Sequence, residues 1–136
     1  MKAMLLAAIL VGCATPHVLH PGDLPPLTAQ VAPEQRVAMW QRAISTVLDL
    51  GYVPQVLNEA ACYIGAKQRD DVTVGTLYGT TAIVTISPEG LVRVEVGGAG
   101  IYTSDDALKV DLQKVQSQLI QAIMNRAPGA AAPPSS

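Results

Sequence analysis

Phenylalanine is absent from this chain of 136 residues, and aromatic residues make up only 4% of it. So sparse an aromatic set weighs against a stacking platform for bases or sugars. Charge is also scarce, at 15% of residues, with a formal net charge of −2. There is no basic stripe, so no nucleic-acid partner is expected. Cysteine occurs twice, at Cys13 and Cys62, and histidine twice, at His17 and His20. No G-x-G-x-x-G, G-x-x-x-x-G-K-[ST] or G-x-S-x-G spacing occurs, so neither a nucleotide loop nor a serine nucleophile elbow is indicated. No catalytic residue, no metal site and no cofactor is expected on these grounds.

What the chain does have begins at its start. Met1 and Lys2 supply a positive end, Ala3 to Val11 form an apolar run, and Gly12 precedes Cys13. This is a secretory signal pattern. A run this short falls well below the ~20 apolar residues needed to span a bilayer.

Leu10-Val11-Gly12-Cys13 resembles the lipobox of bacterial lipoproteins. The resemblance covers those four residues and the run before them. It implies cleavage between Gly12 and Cys13, diacylglycerol on the Cys13 thiol, and a palmitate-type acyl chain on the new amino group. More than one chain turns marginal membrane binding into stable anchoring. Ala14, where an aspartate would favour the inner membrane under the enterobacterial sorting rule, favours an outer-membrane location facing the periplasm, with the inner membrane as the alternative where that rule is not used. Lipidation of Cys13 would leave Cys62 without a disulfide partner in that oxidising compartment.

Composition then divides the chain. Residues 1–12 read as the signal peptide, and 13–32 as the lipidated cysteine with a linker holding Pro16, Pro21, Pro25 and Pro26. Proline-rich chain extends at about 3.1 Å per residue, so a segment of this length reaches roughly 60 Å at the limit. Residues 127–136 contain only Ala, Pro, Gly and Ser and read as a disordered tail. One folded domain remains, at 33–126, large enough to build its own core.

Within that domain the apolar spacing predicts a helix over Pro33 to Leu50, with Val37, Trp40, Ile44, Val47 and Leu48 on one face and Gly51 as its stop. Tyr52 to Leu57 predicts an edge or short strand because of Pro54. Ala61 to Lys67 alternates, with Cys62, Ile64 and Ala66 on one side. Val72 to Tyr78 reads as either a loop or a ragged strand. Thr80 to Ile86 and Leu91 to Val96 flank Ser87-Pro88-Glu89-Gly90, a type I turn pattern, and form a hairpin. Gly97-Gly98-Ala99-Gly100 is expected to break the sheet. Thr103 or Ser104 caps a second helix that ends at Arg126. Its stripe is Leu108, Leu112, Val115, Leu119 and Ile123.

The expected fold is α+β, in two layers: an antiparallel sheet of three or four strands with N- and C-terminal helices packed on one face, in the order α-β-β-β(-β)-α. That order is similar to small lipoprotein domains of bacterial envelopes, a likeness of architecture that does not fix function.

The reactive residues have plain structural readings. His17 and His20 form an H-x-x-H, but no third ligand stands on a rigid element with them. Cys62 lies in an alternating apolar strand, without a histidine in the expected domain to activate it. Asp70-Asp71 fits a turn and Asp105-Asp106 a helix start, and neither has the spacing of a calcium loop. Asp70 or Asp71 with Glu59 would be the carboxylates of a hydrolytic site, were there one.

The expected function is non-enzymatic: a membrane-anchored periplasmic module that binds another envelope protein, with Thr76, Leu77 and Tyr78 as the partner surface. The competing expectation is a carrier or sensor of an apolar small molecule, held in a cavity lined by Trp40, Val84, Val94 and Leu112.

Overall fold

The computed structural model describes residues 16–69 and 77–125. The expected signal, Cys13, Asp70-Asp71, Val72 to Thr76, Arg126 and the C-terminal tail lie outside them. Six strands and two α-helices follow in order: β1 (Pro16–Leu19), β2 (Leu27–Gln30), a 3-10 turn (Pro33–Gln35), α1 (Arg36–Asp49), β3 (Tyr52–Asn58), β4 (Tyr63–Gln68), β5 (Leu77–Ile86), β6 (Leu91–Ile101) and α2 (Asp105–Asn125). The sheet is antiparallel, in the order β1-β6-β5-β4-β3, with β2 also on β6. The fold is α+β, as the pattern predicts. The strand count is higher, and the chain enters through strands rather than a helix.

The additional strands come from the segment expected to be a linker. Pro16–Leu19 pairs with Gly98–Ile101, and Leu27–Gln30 pairs with Leu91–Val94, so β1 and β2 together close the free edge of β6. Leu19, Leu24 and Val31 are buried. Proline misleads here because an edge strand tolerates it where no ladder donor is needed, above all at its first residue. Pro16 occupies that position, and Pro21, Pro25 and Pro26 lie in the bend between the two strands.

The second departure is at Gly97 to Gly100. The glycines do not end the strand, for β6 runs on to Ile101. They clear space instead, as glycine in a strand does where another chain approaches closely. A Cβ on Gly97 would stand 2.6 Å from the backbone nitrogen of Pro21, and one on Gly98 would press on Leu112 at 3.1 Å. The β1–β2 bend can approach β6 this closely because Gly97 has no side chain.

The buried face of α1 is rotated from the expected stripe: Met39, Trp40, Ala43, Thr46 and Val47 face the core, while Val37 and Leu48 are exposed. Other local signals follow the pattern. Pro33 starts the helical segment from an extended Ala32, and Gly51, at φ +90°, accepts the left-handed turn after α1. In the hairpin turn the Gly90 N–H donates to the Ser87 carbonyl at 2.9 Å, with Gly90 also at φ +90°. Ser104, not Thr103, caps α2, its Oγ accepting the Ala107 N–H at 3.2 Å. β5 begins at Leu77, earlier than expected, with a register shift between Tyr78 and Thr81 where Gly79 takes φ +62°. This is the geometry of a glycine bulge.

The core lies between the sheet and both helices. Ile64, Ala66, Ala82, Val84, Ile86, Val92, Val94 and Val96 meet Trp40, Val47, Leu108, Leu112, Leu119 and Ile123 there. Three polar ties fix the layers. Arg36 Nε donates to the Ile86 carbonyl at 2.8 Å, and Trp40 Nε1 to the Tyr63 carbonyl at 3.2 Å. Buried Gln116, which interrupts the apolar stripe of α2, donates Nε2 to the carbonyls of Pro25 and Val94, each at 2.9 Å.

Replacing Gln116 by leucine keeps the volume but removes two hydrogen bonds to carbonyls, so a loss of about 1–3 kcal/mol in unfolding free energy is expected from urea titration. Gly97→Ala is expected to cost at least about 1 kcal/mol, since backbone rather than a flexible side chain must yield. Amide exchange should then rise in β1 and β2 before it rises in the β5–β6 hairpin.

Candidate functional site

Side chains alternate across a strand, so the residues between the core positions form a second face. Both helices pack on the other side. Three rows of this open face follow from the register: Val53, Lys67, Thr81 and Gly97; Val56, Gly65, Ile83 and Glu95; and Asn58, Tyr63, Thr85, Arg93 and Thr28. Beyond the bulge a fourth row joins Tyr78, Ala99 and Val18. Ile83, unexpected on an outward face by its character, is half-buried by its neighbours. The Tyr63 ring covers Gly65: a Cβ there would meet Tyr63 Cε1 at 3.3 Å and Val56 Cβ at 3.7 Å.

β3 is an edge strand, as Pro54 indicates, with a further register shift between Pro54 and Val56. Val53, Val56 and Leu57 on it are exposed. At the opposite corner an open groove of about 330 Å³ is bounded by Val18, Pro21, Lys67, Tyr78, Thr81 and Ala99. Its walls are mostly apolar or hydroxyl-bearing, with the Lys67 ammonium and the His20 imidazole also in the lining.

The three expected partner residues divide. Thr76 lies outside the described residues. Leu77 is only 1% exposed and faces the core, so it cannot meet a partner: the strand begins there and its alternation turns Leu77 inward. Tyr78 faces out on the open side.

His17 belongs to the fold rather than to a linker. Its Nδ1 lies 2.7 Å from Asp105 Oδ1, tying β1 to the first turn of α2. His20 is in the bend, where its backbone N–H donates to Asp23 Oδ2 at 2.7 Å. Among the described residues no group of three or more His, Cys, Asp or Glu could hold a metal ion. Glu59 is exposed in the turn between β3 and β4. The acids expected beside it, Asp70 and Asp71, lie outside the described residues.

Cys62 stands in that turn and not in a strand. It has φ +47°, unusual for a non-glycine residue, with its N–H donated to the Glu59 carbonyl at 3.0 Å. Ile64 and Ala66 face the core as the alternation predicts. Burial pushes the Cys62 thiol up from its ordinary pKa and outweighs the lowering by Arg36; Glu59 adds to the rise. The neutral thiol is the poor nucleophile of the two forms.

Trp40, Val84, Val94 and Leu112 all belong to one buried cluster. Among the described residues two openings lie between the layers at their rim: about 90 Å³ between Leu50, Tyr52, Gln68, Val115, Gln118 and Leu119, and about 300 Å³ between Pro25, Pro26 and Leu27 on one side and Gln113, Gln116 and Ser117 on the other. The first holds only a few waters; the second is of the size of a small ligand and is lined by two glutamines and a serine as well as apolar residues. Gln68 Oε1 makes no hydrogen bond within the described residues, and burial pushes the Tyr52 hydroxyl up to about 12.

No protein-family model matches the chain, and no curated protein has a significantly similar sequence. The functional reading therefore rests on the residues and their geometry.

Native protein titrated with an aromatic disulfide reagent is expected to leave Cys62 unmodified until the chain is unfolded in denaturant. Rapid native modification would show that the turn at residues 59–62 opens readily.

Proposed function

We propose that this chain is a bacterial lipoprotein anchored through Cys13, facing the periplasm on the outer membrane, which acts by binding another envelope protein rather than by catalysis. The observation that carries this reading is the Leu10-Val11-Gly12-Cys13 pattern at the end of a short apolar run behind Lys2. The fold supports it in two respects. Among the described residues no helix is long and apolar enough to cross a membrane, so the helices offer no competing attachment there. Among the described residues no helix covers the other face of the sheet, and its β3 side displays Val53 and Val56, with Leu57 exposed at the same edge.

A protein partner suits that side better than a small molecule does. Flat, half-apolar sheet surfaces with a polar surround resemble protein contact areas, whereas small ligands favour enclosed pockets. Pro54 and the adjacent register shift discourage simple strand addition at β3. Contact through the side chains of the open face is thus favoured over extension of the ladder.

The test is crosslinking capture from intact envelopes, with the wild type beside Cys13→Ala, and mass spectrometry of bait and partners. The Cys13 peptide is expected to carry a diacyl or triacyl mass, and one recurrent protein partner should be lost with Cys13→Ala. Val56→Asp should weaken that capture without releasing the protein from the membrane. An unmodified Cys13 would overturn the anchoring. A lipidated protein with no recurrent partner would overturn the binding role.

A further inference from the structure

The anchored reading leaves open how the domain sits on its membrane, and the fold decides this through the place where the first strand begins. β1 starts at Pro16. Only Ala14 and Thr15 separate Cys13 from it, and the three steps from Cys13 to Pro16 span at most about 11 Å even when fully extended. The domain therefore cannot stand away from the bilayer on a long tether. The first turns of chain after the lipid are already in the sheet, so some surface near Pro16 must meet the membrane.

The residues around Pro16 identify that surface. Pro16 pairs with Ile101, and Val18 with Ala99, which pairs in turn with Tyr78. Residues two apart in a strand share a face, so Pro16, Val18, Ile101 and Tyr78 form one patch at this corner of the open face. The patch is unpartnered: Val18 is 53% exposed, Ile101 50% and Tyr78 43%. A tyrosine among aliphatic side chains suits the boundary between headgroups and acyl chains. Lys67, exposed beside Tyr78 in the same groove, places a cation where anionic headgroups would lie. The acids of this end point the same way by their position. Asp105 and Asp106 begin α2 on the other side of the sheet, and His17 draws Asp105 toward that side.

We infer that the Pro16, Val18, Tyr78 and Ile101 corner is a membrane-contact patch that holds the domain against the lipid headgroups, with the β3 edge turned to the periplasm. This rests on the anchoring of Cys13 proposed above. It assigns Tyr78 to the bilayer instead of to a protein partner. It also separates the two surfaces, since Val53, Val56 and Leu57 lie on the far strand of the sheet.

The experiment uses the full-length protein purified with its lipid and reconstituted in vesicles of phosphatidylethanolamine and phosphatidylglycerol. The acyl mass of the Cys13 peptide is measured first. Nitroxide labels are then placed by Val18→Cys, Tyr78→Cys and Ile101→Cys, with Leu48→Cys and Val56→Cys as distant exposed controls. Cys62 is buried and free, and should not compete for label. Labels at 18, 78 and 101 are expected to show a several-fold higher ratio of oxygen to nickel-chelate accessibility than those at 48 and 56. If a label disrupts one strand, as judged by circular dichroism, the other two positions decide. A lipidated protein whose five labels are equally aqueous would overturn the inference and leave the anchoring intact. An unlipidated Cys13 would overturn both.

Discussion

The free edge of β6 is the constraint on which the rest of this structure depends. β6 carries the core residues Val92, Val94 and Val96, and it is the only strand that joins the hairpin to both N-terminal strands. A buried strand with unpaired backbone groups is costly, because each unmet donor or acceptor forfeits its bonds to water. The edge is closed by two short pieces instead of one long strand. The chain between them passes close against β6 at Gly97, where a side chain would collide with Pro21. Gln116 then ties the end of this bend, at Pro25, to Val94 of β6.

This arrangement links the stability of the domain to its place in the cell, under the proposed anchoring. A proline-rich segment that would have been a spacer is consumed in making the sheet edge. What remains between Cys13 and the fold is too short to act as a reach. In the proposed reading position replaces reach: one corner of the open face would meet the bilayer and its opposite edge a partner. The two helices serve mainly to close the core from the other side, and their polar ties at Arg36 and Trp40 run to the ends of β5 and β4.

The readable and unreadable parts of the fold separate by range. α1, its stop at Gly51, the β5–β6 hairpin and its Ser87-Pro88-Glu89-Gly90 turn, and the apolar stripe of α2 were legible, since each follows from local periodicity or turn chemistry. β1 and β2 were not. A four-residue strand with a proline beside it has too little pattern to distinguish it from an extended linker. Cys62 shows a finer limit. The alternation that places Ile64 and Ala66 in the core does not extend to Cys62, which lies in a turn whose left-handed residue is not a glycine. Gln116 gave a weak signal that was available: a glutamine beside the apolar stripe, one residue after Val115, on a helix otherwise core-facing there. Of the candidate partner residues, only Tyr78 could have been separated from Leu77 by knowing where β5 begins, which the bulge at Gly79 obscures.

By itself the sequence determined the α+β class, the hairpin and the two helices, because each is encoded in neighbouring residues; the proposed anchor likewise rests on neighbouring residues alone, Leu10 to Cys13. Only the tertiary structure decided that residues 16–31 belong to the sheet, that the glycines at 97 and 98 make room instead of ending a strand, and that Pro16, Val18, Tyr78 and Ile101 share a surface. Those facts depend on which strand edge lies open when the chain collapses. An open edge recruits whatever nearby segment can satisfy its hydrogen bonds, whether or not that segment looks like a strand.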